Sequence, residues 1–90
     1  MRVIEGKPDM NYPARVPLKV IGQMDVLRVD MVVELILTHL GPQEEADLKA
    51  QSNCKGAFIS YTFWITLPHE QAELPLREAI QKLPGVVMQL

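Results

Sequence analysis

One cysteine, two histidines, one tryptophan and two phenylalanines are all the chain holds of those residue types. The lone thiol, Cys54, cannot close an internal disulfide or build a zinc site by itself. No apolar run approaches the ~20 residues needed to cross a bilayer. Residues 1–11 lack the apolar stretch of a secretory signal. These absences lead us to expect a soluble cytoplasmic protein. An excess of charge of one sign is also missing: nine Lys and Arg against eleven Asp and Glu give a formal net charge of −2. That balance argues against a broad nucleic-acid footprint, because binding phosphates needs a concentrated basic field.

What is present suits one small globular domain: ninety residues, 48% hydrophobic and 22% charged. A chain of this length buries only somewhat over ~60% of its unfolded surface, so a subunit contact would add usefully to its stability. Residues 1–13 mix charge with Gly6, Pro8, Asn11 and Pro13, show no periodicity and read as a flexible arm. The domain is expected over 14–90.

Along 15–21, Val16, Leu18 and Val20 alternate with Arg15, Pro17 and Lys19, the pattern of a half-buried strand. Asp25 has the chemistry of an N-cap for a helix over 25–40. Its expected core stripe is Val26, Val29, Val33, Ile36, Leu37 and Leu40, and Gly41-Pro42 ends it. Weak alternation over 44–51 predicts a short edge strand, and 52–56 a hairpin loop. In 57–67 the alternation is strongest, with Ile59, Tyr61, Phe63, Ile65 and Leu67 on one face and Phe58, Ser60, Thr62, Trp64 and Thr66 on the other. A second helix is expected from Pro68 to about Leu83, with Ala72, Leu76, Ala79, Ile80 and Leu83 inward; Pro75 either kinks it or marks its true first turn. A last strand over 86–90 would turn Val86, Met88 and Leu90 inward. Two helices cannot cover both faces of such a sheet. The order strand, helix, strand, strand, helix, strand therefore predicts a ferredoxin-like βαββαβ α+β sandwich, with two helices on one face of a four-stranded antiparallel sheet.

Tyr12-Pro13 followed by Lys19-Val20-Ile21-Gly22-Gln23 resembles the F-P…K-V-M-G-Q opening of the YbeD-like family of small uncharacterised bacterial proteins. The likeness continues through Val29-Asp30, Val32-Val33-Glu34 and His39, through Lys55-Gly56-Ala57-Phe58 and to the closing Val86-Val87-Met88-Gln89-Leu90. Ala57 and Phe58 stand where that family usually has Asn and Tyr. The resemblance implies a fold like the ACT regulatory domain, which in other proteins binds amino acids at dimer interfaces. It implies no enzymatic activity and no catalytic residues.

The residues themselves assemble no reaction centre. His39 and His69 lack a partner His or carboxylate at ligand spacing, and Asp30 with Glu34 reads as a solvated helix face. Cys54 beside Lys55 is a loop thiol next to a cation, which alone does not make a nucleophile. We expect no enzyme, no cofactor and no metal. Three surfaces remain. The turn Gly22, Gln23, Asp25 joins a strand to a helix start, where free N–H groups favour an anion, although Asp25 as cap would fill that place itself. The open sheet face should carry Phe58 and Trp64, large side chains to leave in water, together with Arg15, Lys19, Ile21, Lys49, Gln51 and Val87. Leu27, Met31 and Leu35, four apart, form a second apolar stripe on the first helix, unless the helix is rotated and one of them packs at the core edge. The expected function is a non-enzymatic regulatory or protein-interaction domain, binding a protein partner or a second copy. The alternative is an ACT-type metabolite sensor at the first turn or a dimer interface.

Overall fold

Strand β1 (Ala14–Gln23) runs through the middle of the sheet because its alternation gives it one apolar face and a partner on each side. A computed structural model describes residues 11–90. The elements that follow are α1 (Val29–Leu40), α2 (Glu45–Leu48), β2 (Gln51–Lys55), β3 (Phe58–Leu67), a 3-10 turn (Glu70–Ala72), α3 (Glu73–Gln81) and β4 (Val86–Gln89). The sheet order is β2-β3-β1-β4, and every pairing is antiparallel. Each of the two long helices connects strands that are not neighbours, so this is a ferredoxin-like sandwich with α1 and α3 on one face.

The core lies between those helices and the sheet. Leu18 and Val20 of β1 and Phe63, Ile65 and Leu67 of β3 meet Val32, Ile36 and Leu40 of α1 and Leu76 and Ile80 of α3, all buried. The expected arm over 1–13 falls largely outside the described residues; of its last three, Tyr12 packs against this core.

Four local expectations are corrected. Helix α1 begins at Val29, not Asp25: residues 24–26 form a turn in which the Gln23 carbonyl accepts from the N–H groups of Val26 and Leu27. The N-cap is Arg28, and no side chain caps it. The late start rotates the apolar stripe, so Val26 and Leu37 are exposed while Val32 and Leu27 are buried. Next, 45–48 is one helical turn rather than a strand, with Glu45 and Asp47 where the positive end of the helix favours acids. Residues 51–55 pair as β2, leaving Gly56-Ala57 as the whole hairpin loop. Gly56, with φ +61°, takes the first loop position, where a primed turn needs positive φ. Finally, β4 is bulged: Ile21 pairs with Met88 but Gly22 with Val86. The extra residue, Val87, shifts the pleat by one, so Gln89 rather than Met88 faces the helices, donating to the Arg77 carbonyl at 2.9 Å. Met88 and Leu90, expected inward, are exposed. Pro75 is the third residue of α3, within the first turn, where its missing N–H costs no intrahelical bond.

Candidate functional site

Among the described residues no helix lies over the opposite face of the sheet. Alternation from the core positions places Pro17, Lys19 and Ile21 of β1 there, with Phe58, Ser60, Thr62 and Trp64 of β3. The register extends this into transverse rows. Lys19 lies beside Thr62, which lies beside Gln51; Ile21 beside Ser60 and then Asn53; Gln23 beside Phe58 and then Lys55. On the other side Met88 adjoins Ile21, and Leu90 exchanges both backbone hydrogen bonds with Lys19. Phe58 is 47% and Trp64 40% exposed, as Met88 and Leu90 also are exposed.

Among the described residues, depressions indent this face. One, of about 450 Å³, has Ile21 and Phe58 in an apolar floor, with Lys19, Asn53, Lys55 and Ser60 around it. The second, of about 550 Å³, is polar and is lined by Lys19, Gln51, Ser52, Asn53, Ser60 and Thr62. They share Lys19, Asn53 and Ser60, so they form one groove across β1, β3 and β2. At the far end Arg15 lies over Trp64, 4.3 Å from the ring centroid, and also grips Asp47 of α2 through two hydrogen bonds of 2.9 and 3.2 Å. The Arg15 hydrogen bond holds the Asp47 carboxyl below the usual carboxylate range, and the same bond raises Arg15.

The turn at Gly22, Gln23 and Asp25 is built differently from the sequence expectation. Gly22 is buried; a Cβ there would stand 2.5 Å from the Gly85 carbonyl oxygen and 2.7 Å from Leu27 Cδ2. The Gln23 N–H donates to the Gly85 carbonyl at 2.8 Å and the Met24 N–H to the Ala57 carbonyl at 2.9 Å. Those donors are therefore used within the fold. Asp25 is exposed, and with Gln23, Met24, Val26, Ala57 and Phe58 it borders a separate depression of about 250 Å³.

The structure does not bring Leu27, Met31 and Leu35 together on an exposed stripe. Leu27, 5% exposed, is core beneath Gly22; Leu35 is half-buried against the core; only Met31 is exposed. Conversely, sequence reasoning missed Lys55, Asn53, Met88 and Leu90 as members of the open face. Placing 52–56 in a loop removed the first pair, and the unseen bulge removed the second. Among the described residues no three of His, Cys, Asp and Glu converge on a point where a metal ion could sit, and no helix is long and apolar enough to cross a membrane.

Residues 7–90 match the family described as Protein of unknown function (DUF493). The chain belongs to this family. The match covers all the elements of the sandwich and the open face, and it agrees with the resemblance carried by the 19–23 and 55–58 segments. No curated protein and no solved structure matches the chain.

Proposed function

We propose that this member of the DUF493 family is a non-catalytic, regulatory protein-interaction module of the cytoplasm, and that a partner protein docks on the open face of its sheet. The observation that carries this reading is the exposed set Phe58, Trp64, Met88 and Leu90, on a sheet face that no helix among the described residues covers. Large apolar side chains left exposed on one face mark an interaction surface. Here Lys19, Ser60 and Thr62 lie between Phe58 and Trp64, and Gln51, Asn53 and Lys55 border them on β2. The exposed free thiol of Cys54 fits a reducing compartment.

Site-specific photo-crosslinking tests the reading. A benzophenone side chain at position 58, in the native cell, should yield discrete adducts that Trp64→Ala weakens. The same group at position 74, exposed on α3, should not. Equal patterns at both positions, or none at 58, would overturn the proposal.

A metabolite-sensing role of ACT type has one observation on its side, the depression of about 250 Å³ beside Asp25 and Phe58. A ligand held there would raise the melting temperature by mass action, so a thermal scan against free amino acids is its direct test. A flat response across millimolar amino acids would remove it.

A further inference from the structure

Among the described residues no strand contains a carboxylate; every described Asp and Glu sits on a helix, in a turn or in a connection. The strands do carry Arg15, Lys19 and Lys55. A chain with a net charge of −2 thus presents a sheet of the opposite sign. Arg15 is engaged by Asp47. Lys19 and Lys55 have no acidic partner among the described residues, and no carboxylate lines the groove between them. Asp25, in the turn beyond Phe58, borders only the neighbouring depression.

We propose that the groove takes an acidic segment of the partner protein, with one large apolar side chain seated on Ile21 and Phe58 and flanking carboxylates paired to Lys19 and Lys55. This rests on the docking reading above and adds the chemistry of the partner. The geometry favours a chain segment over a free metabolite. Lys19 and Lys55 are two strands and two rows apart, about 17 Å between Cα atoms at ordinary sheet spacings. An extended segment of about five residues spans that distance at ~3.3 Å per residue. The groove is open to solvent along its length, whereas a small-molecule site encloses most of its ligand. Gln51, Asn53 and Thr62 border it with amide and hydroxyl groups suited to the backbone of such a segment. A nucleic acid fits less well: two free lysines make no dense basic field, and one face of Trp64 is already covered by Arg15.

Selection of a displayed random heptapeptide library on the immobilised full chain tests this directly. Enriched peptides should carry an excess of Asp and Glu around an aromatic or large aliphatic residue. Titrated against the protein with Trp64 fluorescence as readout, they should lose affinity by roughly tenfold in Lys19→Gln/Lys55→Gln, weaken as salt rises, and shift backbone NMR signals of β1, β2 and β3. Enriched peptides that map to this face without acidic bias, and bind the double variant equally, would overturn the acidic chemistry but leave the docking face standing. No enrichment, or mapping elsewhere, would overturn both. Tighter binding of a short single-stranded RNA of mixed sequence than of any selected peptide would overturn the proposal in favour of a nucleic acid. A dimer of the free protein that Lys55→Glu dissociates would overturn it in favour of a second copy.

Discussion

Arg15 ties the open face of the sheet to the short helix at its edge: its guanidinium covers Trp64 at 4.3 Å and grips Asp47 through two nitrogens. Removing that guanidinium should therefore change the environment of Trp64 without breaking the core. Trp64 is the chain's one tryptophan, so its emission reports the change directly. Arg15→Ala should shift the emission to longer wavelength and make it easier to quench with acrylamide. Arg15→Lys should give most of the same effect, because an ammonium cannot stack as a plane or make the two-pronged contact. Unchanged quenching in both variants would mean the guanidinium does not rest on the ring.

Gly22 lies where β1, the following turn and the start of β4 meet. Its conformation is open to any residue, but a Cβ would fall 2.5 Å from the Gly85 carbonyl oxygen, a backbone atom that cannot swing away. Gly22→Ala should therefore destabilise by about 1–3 kcal/mol, the range for overpacking a close-packed site, as measured by urea unfolding. A neutral result would show that β1 and the 84–85 turn separate easily.

Leu27 and Met31, expected on one stripe, should behave oppositely. Leu27→Ala empties a buried position and should cost roughly 2–4 kcal/mol. Met31→Ala, on the surface, should stay within about 0.5 kcal/mol. Leu35 packs against the core, so Leu35→Asp should unfold the domain instead of separating subunits. A folded Leu35→Asp with wild-type stability would restore the interface reading of that stripe.

The element order was legible because the longest segments carry clean periods: Leu18 and Val20 alternate in β1, Phe63 and Ile65 in β3, and Leu76 and Ile80 recur at helical spacing in α3. What escaped depends on contacts between segments. Asp25 looks like a cap, but the Gln23 carbonyl draws residues 24–27 into a turn first, which delays α1 and rotates its apolar side. The bulge opposite Ile21 and Gly22 leaves no mark in the run Val86-Val87-Met88, since a valine pairs or bulges equally well there. The groove itself is a product of register. Ile21, Ser60 and Asn53 come from three strands, and only their lateral alignment makes them one row of its lining.

Gln43 shows how the edge of β3 is completed beyond the end of β2, and it yields a local prediction. Strand β2 pairs with β3 only between Phe58 and Thr62, so the outward backbone groups of Thr66 have no strand beside them. The Gln43 side-chain amide stands in for one, accepting from the Thr66 N–H at 2.8 Å and donating to its carbonyl at 3.1 Å. Gln43→Ala should cost roughly 1–2 kcal/mol, two hydrogen bonds at part-buried positions, and should speed hydrogen exchange at the Thr66 amide more than at its neighbours.

Asp47 gives the acid dependence of this same corner. Its pKa is lowered, first by the Arg15 hydrogen bond and then, against desolvation, by the Arg15 charge. A carboxylate depressed in the folded state stabilises it fully above the unfolded pKa, about 4, and that contribution fades as pH falls through the lower folded value. Asp47→Asn removes the titrating group and keeps the shape. The stability gap between wild type and Asp47→Asn should thus be constant from neutral pH down to about 5 and shrink steadily below about 4. Quenching of Trp64 should follow the same course, because a protonated Asp47 releases Arg15 from the position in which it covers the ring. A gap that did not narrow as pH falls below about 4 would mean that the charge of Asp47 is not the source of the difference.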